Sequence, residues 1–540
     1  MAKLLLLGDE AIAQGAIDGG ISGIYAYPGT PSTEIMEYVQ RSKLAKDLNI
    51  HRTWSANEKT AMEAALGMSY AGKRSIVCMK HVGLNVAADA FINSAITGVN
   101  GGLVITVADD PSMHSSQNEQ DSRFYGKFAQ IPVLEPSNQQ EAYDMTRKAF
   151  DLSEKYETPV MLRLTTRLAH SRYGINTAEK REQNKTLLPP DPKQFVLLPS
   201  IAKQRYKLLL NNQAGFENES ETSEYNKHFQ GGDNSLGIVA CGIAYNYLME
   251  NFNGLECPYS IVKINQYPLP KKMIKKLAEE SEKLLILEEG YPLVEEMLSD
   301  FFEKGVDVKG RLDGTLPRDG ELNPTIVAKA LNIKFDENFT LPEFLASRPP
   351  ALCPGCGHRD LFDALNEVME NYGDQRVLSD IGCYTLGALP PFNSINSCVD
   401  MGASIPMAKG AADAGLRPSV AVIGDSTFTH SGMTGLLDAV DEHAPITVVI
   451  LDNETVAMTG GQHAAGEGKL YNICKGIGVD PEHLKTVIPL KKNHTHMVEV
   501  LKEEISYEGL SVVIAQRECV QVLLHRKKLS NKNKKAAVEK

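Results

Sequence analysis

Val420-Ala421-Val422-Ile423-Gly424-Asp425-Ser426 and Val448-Val449-Ile450-Leu451-Asp452-Asn453-Glu454-Thr455 are two apolar, β-branched runs that each stop abruptly at small and acidic residues. Short continuous runs of this kind read as strands buried on both faces, the mark of a parallel sheet covered by helices. Two more such runs, Arg376–Asp380 and Leu510–Ala515, extend the set alongside Ser419–Ile423 and Ile446–Leu451. In open α/β sheets ligands bind outside the carboxyl ends of the strands. The Asp425 carboxylate, the amide oxygen of Asn453 and a backbone carbonyl can all fall there, a donor set suited to one hard cation that keeps waters and phosphate oxygens as its other ligands.

Upstream, Lys3–Leu7, Gly23–Tyr27, Ser75–Met79, Leu103–Ala108 and Val160–Leu164 predict buried strands, separated by helical patterns such as Lys59–Ala71 and Gln139–Lys155. Strands alternating with helices predict a doubly wound parallel sheet. From about Leu187 to Ser235 the pattern dissolves, with one short helical piece near Ile201–Leu210, and reads as a connector. A smaller α/β unit follows, with strands Leu236–Cys241, Tyr259–Ile264 and Leu284–Glu288 and a helix from Ala244 to Asn251. The loop-like span Pro342 to Pro350 leads into the third unit. The fold class is therefore α/β, three parallel-sheet domains: 1–185, a connector 186–235, 236–340 and 341–525. A basic tail, 526–540, is expected to be disordered.

The 540 residues, 42% hydrophobic and 23% charged, suit a soluble multidomain protein. A formal charge of −12 disfavours nucleic acid as a partner. The Leu4–Leu7 run is too short for a signal-peptide core, and no stretch nears the roughly 20 apolar residues that span a bilayer. No membrane partner is expected, and the cytoplasm is the default location. Nine cysteines in such a chain argue against a disulfide framework.

Gly424-Asp425-Ser426 with a strand-terminal Asn453 resembles the thiamine-diphosphate and Mg²⁺ fingerprint. Thr459-Gly460-Gly461-Gln462 resembles the loop that follows it in ferredoxin-dependent enzymes. Such a cofactor needs a carboxylate on its pyrimidine nitrogen to hold the imino tautomer. Glu58, in Trp54-Ser55-Ala56-Asn57-Glu58-Lys59, opens a helix with small residues at Ala61, Ala64, Ala65 and Gly67 and is the candidate. Helix electrostatics alone also favour a Glu there. Cys353-Pro354-Gly355-Cys356, Cys383 and Cys519 fall at strand ends or entry loops of the third unit. Four thiolates hold a [4Fe–4S] cluster or a structural Zn²⁺, and spacing alone does not choose. The thiamine neighbourhood favours iron–sulfur, because electrons must leave singly. Cys78, Cys241, Cys257, Cys398 and Cys474 read as unligated and buried.

Together with Tyr27-Pro28-Gly29-Thr30-Pro31-Ser32-Thr33, Met79-Lys80-His81-Val82-Gly83-Leu84-Asn85, Ala108-Asp109-Asp110-Pro111, His114 to Glu119, Cys353 to Arg359 and Asp380 to Gly387, these motifs make most of the chain resemble the alpha subunits of the indolepyruvate ferredoxin oxidoreductase family. The resemblance implies three thiamine-diphosphate-type (transketolase-like) domains: pyrimidine-binding, transketolase-C-like and diphosphate/Mg²⁺-binding. It implies coenzyme-A-dependent oxidative decarboxylation of an aryl pyruvate, with electrons passing through a [4Fe–4S] cluster to ferredoxin. Glu58 and Thr30 would be catalytic. Tyr27, Pro28, Gly382, Gly424, Ser426 and Gly460 would line the cofactor. Asp425, Asn453 and Thr455 would hold Mg²⁺, and Cys353, Cys356, Cys383 and Cys519 the cluster. A smaller beta- or gamma-type subunit would complete a hetero-oligomer containing two copies of this chain.

Two departures qualify the match. The family usually continues into a ferredoxin-like domain, and no cysteine follows Cys519 here. Met458 stands where pyruvate-specific relatives carry Asn, which suits a larger aromatic side chain. His81 and Arg123 are substrate candidates. Arg123 would hold a carboxylate bidentately or pair with Glu119 by helical spacing. His114, His358 and His463 lie in motif loops, and Arg163 and Arg167 carry no assignment. A non-oxidative thiamine-dependent decarboxylase would not need the cysteine quartet. A non-catalytic electron-transfer or scaffold subunit would have lost Glu58 or the Asp425/Asn453 pair. A zinc-stabilised binding module ranks last.

Overall fold

The β-branched runs assemble as parallel sheets. In the computed structural model, which describes residues 3–299, 302, 306–334, 342, 344–345, 349–373 and 375–528, the chain forms two compact units, Met1–Thr340 and Leu341–Lys540.

The first unit is built on a seven-stranded sheet. Its order is Gln266–Tyr267, Val133–Leu134, Val160–Thr165, Leu103–Asp109, Ser75–Lys80, Gly23–Ala26 and His51–Trp54. All pairings are parallel except that of Gln266–Tyr267, an antiparallel edge strand. Leu103–Asp109 and Val160–Thr165 are buried throughout because helices cover both faces. The helix Gln139–Tyr156 starts where the Asn138 side chain accepts the Glu141 N–H and stops at a left-handed Glu157. A second, five-stranded sheet contains Asp233–Cys241, Tyr259–Ile264 and Lys283–Leu287 in parallel, with Asp307–Lys309 and Lys227–Phe229 at its edges.

Two expectations are corrected in this unit. Lys3–Leu7 is not a buried strand of the main sheet. It pairs antiparallel with Arg172–Asn176 in a two-stranded ribbon, which leaves Leu5 65% exposed. The connector is not patternless either, since Pro199–Glu221 is one long helix, packed through Leu209 and Phe216.

The sheets of this unit are joined by buried ions. Arg163 bonds Asp109 at 2.8 Å, pairs with Glu135 and donates to the Glu289 carbonyl at 2.9 Å. Arg123 pairs with Asp121 and with Glu288 at 3.0 Å, and donates to the Tyr267 hydroxyl at 3.2 Å. Burial pushes Asp109 up, and Glu288 up to about 7, which reduces the negative excess around the two guanidiniums. Burial also pushes Glu289 up to about 8 against the Leu322 N–H and Arg311. A carboxyl raised on folding contributes stability that is fully present below its unfolded value of 4.5 and is lost as pH rises through about 8. Glu289→Gln is therefore expected to flatten the fall in Tm between about pH 5 and about pH 8. An unchanged slope would mean that Arg311 keeps Glu289 ionised.

The second unit carries a parallel sheet ordered Val377–Ser379, Val420–Gly424, Thr447–Asp452, Ser511–Gln516 and Leu484–Val487. Val420–Gly424 lies against Thr447–Leu451 in register, so Asp425 and Asn453 leave the same edge side by side. Residues 520–528 are helical, so the expected tail 526–540 begins in helix; its remainder, and residues 343 and 346–348 of the Pro342–Pro350 span, lie outside the described residues.

Candidate functional site

In the first unit the candidate residues sit on segments that leave the carboxyl edge of the seven-stranded sheet. Asn57 caps its helix by accepting the Thr60 N–H at 2.8 Å, which sets Glu58 in the first turn. The Glu58 side chain turns inward and is buried, lying against Gly83: a Cβ there would sit 2.6 Å from its Oε1. The Tyr27–Ser32 loop is tightened by Gly29 N–H to Thr33 Oγ1 at 3.0 Å and Ser32 Oγ to the Gly29 carbonyl at 2.8 Å. Tyr27 and Pro28 are buried and Thr30 is half-buried. Lys80 donates to the Ser115 carbonyl at 3.0 Å, and Ser115 Oγ donates to the Thr30 carbonyl at 3.3 Å. Burial lowers the Lys80 ammonium pKa, while the charges of Asp110 and Glu58 hold it up. Buried His81 donates from Nε2 to the Asn118 carbonyl at 3.2 Å, since a carbonyl only accepts.

Asp110 organises this edge. It accepts Ser115 N–H, Ser116 Oγ and Thr166 Oγ1, each at 2.7 Å. Its position at a strand end in Ala108–Pro111 was the available sequence signal, and it carries no assignment there.

In the second unit Asp425 follows the strand at the start of a short helix. Its Oδ2 and the Ser426 hydroxyl are buried with no hydrogen-bond partner among the described residues. Burial, with the nearby Asp452 charge, pushes Asp425 up to about 7, against the N–H groups of Ser426, Thr455 and Glu454. A buried carboxyl with one oxygen left unpartnered fits a cation whose other ligands are phosphate oxygens. Asn453 Oδ1 accepts the Thr455 N–H at 3.1 Å across a left-handed Glu454 at φ 63°. Gly382 and Gly424 flank Tyr384, and a Cβ on either would meet its ring at 2.1 and 2.5 Å. Thr455–Val456 pairs with Gln462–His463 around Gly460, leaving Met458 60% exposed.

The thiols of Cys353, Cys356, Cys383 and Cys519 lie within electrostatic reach of one another, and burial pushes Cys383 up to about 12, with Cys519 the next cause. The Cys519 N–H donates to the Asn453 carbonyl at 3.1 Å, which ties the quartet to the Asp425 turn. No three of these sulfurs lie within 4.8 Å of one another, the only such ligand group among the described residues being elsewhere.

Other expectations change. Arg123 holds neither a substrate carboxylate nor Glu119: it is 1% exposed and spent on Asp121, Glu135 and Glu288. Glu119 instead accepts the N–H groups of Ser112 and Gly320. Cys398 is exposed and Cys257 half-buried, whereas Cys78, Cys241 and Cys474 are buried. Exposed His114 and His463 pair with Glu321 and Glu467. His358 is buried with both nitrogens unpartnered among the described residues, and burial lowers it to about 4.

Comparison with known proteins agrees with this geometry. Residues 14–231 match the model described as pyruvate flavodoxin/ferredoxin oxidoreductase, thiamine diP-binding, and residues 380–515 match the thiamine pyrophosphate enzyme C-terminal TPP-binding domain. The indolepyruvate oxidoreductase subunit IorA of Archaeoglobus fulgidus is 40% identical, over 96% of this chain and 86% of the relative. That of Methanothermobacter thermautotrophicus is 38% identical, over 96% and 87%. The 2-oxoglutarate:ferredoxin oxidoreductase of Magnetococcus marinus, solved with 2-oxoglutarate, coenzyme A and succinyl-CoA bound, shares the fold at a TM-score of 0.50 and 15% identity, covering 61% of this chain and 65% of that one. The chain belongs to the indolepyruvate oxidoreductase subunit IorA family of thiamine-diphosphate-dependent 2-oxoacid oxidoreductases.

Proposed function

We propose that this chain is the catalytic subunit of a cytoplasmic aryl-pyruvate oxidoreductase that uses thiamine diphosphate, Mg²⁺, a [4Fe–4S] cluster and coenzyme A, and delivers electrons to ferredoxin. The observation that carries this reading is the juxtaposition of an unpartnered, buried Asp425 Oδ2 and four thiols, with Cys519 bonded to the Asn453 carbonyl. When bound, thiamine diphosphate supplies an electron sink for decarboxylation.

Residues 1–185 would form the pyrimidine-binding domain, 186–235 the connector, 236–340 the transketolase-C-like domain and 341–525 the diphosphate-binding domain. Glu58 would hold the proton at the pyrimidine nitrogen, with Tyr27, Pro28, Gly382, Gly424, Ser426 and Gly460 lining the cofactor. Asp425, Asn453 Oδ1 and the Thr455 carbonyl would bind Mg²⁺, Thr30 would contact substrate near the reacting carbon, and His81 would line its pocket. Met458 offers an apolar surface for an aromatic side chain. A tetrahedral Zn²⁺ with bonds of about 2.3 Å needs sulfurs about 3.8 Å apart. The neighbouring thiamine-diphosphate site, whose electrons must leave singly, favours the cluster over zinc. The solved relative holds coenzyme A, which supports it as the acyl acceptor. A smaller partner subunit and two copies of this chain would form the working hetero-oligomer.

Gly83→Ala tests the placement of Glu58. Alanine suits the helix, but its Cβ displaces the carboxylate, and a shift near 1 Å is expected to lower kcat about 10²-fold with Tm near wild type. Full activity would place Glu58 outside the reaction. Co-expressed with its small partner and assayed anaerobically, the chain is expected to reduce a one-electron acceptor only when an aryl pyruvate and coenzyme A are both present. Aldehyde formed without any acceptor would favour the non-oxidative decarboxylase.

A further inference from the structure

Asp9, Glu34 and His170 come from three separate segments of the first unit and play no part in the site above. Asp9 sits in the first turn of Gly8–Asp18, Glu34 in the first turn of Thr33–Arg41, and His170 ends Thr166–His170. One ligand atom from each lies within 4.8 Å of the other two. Asp9 is fully buried, and neither of its oxygens has a hydrogen-bond partner among the described residues. His170 Nε2 stands 3.6 Å from Glu34 Oε2, an ion pair when the imidazole is protonated, with the two side chains 35% and 32% exposed. The arrangement is a cup with a buried carboxyl at its base and a mouth open to water.

We infer that Asp9, Glu34 and His170 form a binding site for a first-row divalent cation of the Mn²⁺/Zn²⁺ type, completed by water. A buried carboxyl with no donor on either oxygen is costly unless a charge or hydrogen bond meets it. Burial, and next the Glu34 charge, push the Asp9 carboxyl well up, and the one nearby imidazole, His170, is paired with Glu34 instead. One imidazole with two carboxylates suits such a cation, and three protein ligands plus water is a usual set. Glu34 follows directly on the Tyr27–Ser32 loop, so the cation would pin that loop, and Thr30 within it, to the starts of two helices. The inference does not depend on the proposed reaction.

The test titrates the full-length chain with Mn²⁺, following loss of the free-ion electron paramagnetic resonance signal. An Asp425→Asn background removes the other cation position. Mn²⁺ is chosen because thiolates do not compete well for it. One bound equivalent is expected in that background, weakened at least 10-fold by His170→Ala and by Asp9→Ala. His170 is near the surface, so His170→Ala keeps the test sound if Asp9→Ala fails to fold. The same Mn²⁺ affinity in wild-type triad and His170→Ala, or no bound equivalent in the Asp425→Asn chain, overturns the inference.

Discussion

Glu58→Gln is expected to lower kcat about 10²–10⁴-fold while bound thiamine diphosphate, substrate KM and Tm stay near wild type. The amide keeps the shape and the contact with Gly83 but cannot carry the charge that holds a proton at the pyrimidine nitrogen. Its helix does not depend on the Glu58 carboxylate, because Asn57 and Thr60 make the cap. Steady-state kinetics on the complete hetero-oligomer, with cofactor content measured on the same sample, separates loss of chemistry from loss of binding. Activity within twofold of wild type would remove Glu58 from the mechanism.

Arg163→Leu is expected to cost about 3–5 kcal/mol of stability, because it leaves buried carboxylates without their cation. Asp109, Asp121 and Glu135 all face that guanidinium. Its link to the Glu289 carbonyl also joins the two main sheets of the first unit. Denaturant unfolding should show an earlier first transition. Combining Arg163→Leu with Asp109→Asn and Glu135→Gln should recover much of the loss, since the cost lies in unpaired charge rather than in the missing contact. If the triple variant is no better than the single one, packing rather than charge holds this joint.

The sheets were legible because their strands are Val- and Ile-rich and buried on both faces, as at Leu103–Asp109 and Thr447–Asp452. Edge elements were not. Leu484–Val487 is buried only at its two ends, with Lys485 and Thr486 open between them, and carries little continuous signal. Lys3–Leu7 is as apolar as a core strand, yet it lies in a surface ribbon with Arg172–Asn176, a pairing set by tertiary structure. Pro199–Glu221 lacks an apolar stripe: Leu209 and Phe216 are buried while Tyr206, Leu208 and Leu210 are exposed, so its length escaped the periodicity. The Asp425–Thr455 turn was readable because both halves terminate adjacent strands. Arg123 misled because its partners Glu135 and Glu288 come from elsewhere in the chain and only Asp121 is local. The Asp9, Glu34 and His170 cup is invisible in sequence for the same reason.

The most direct measurement is the iron, acid-labile sulfide, zinc and thiamine diphosphate content of the anaerobically purified chain, alone and with Cys383→Ser. About four irons and four sulfides per chain with bound thiamine diphosphate, and loss of the iron in Cys383→Ser, is the predicted result. Thiamine diphosphate without iron, or zinc in its place, would contradict an oxidoreductase that passes electrons through this quartet.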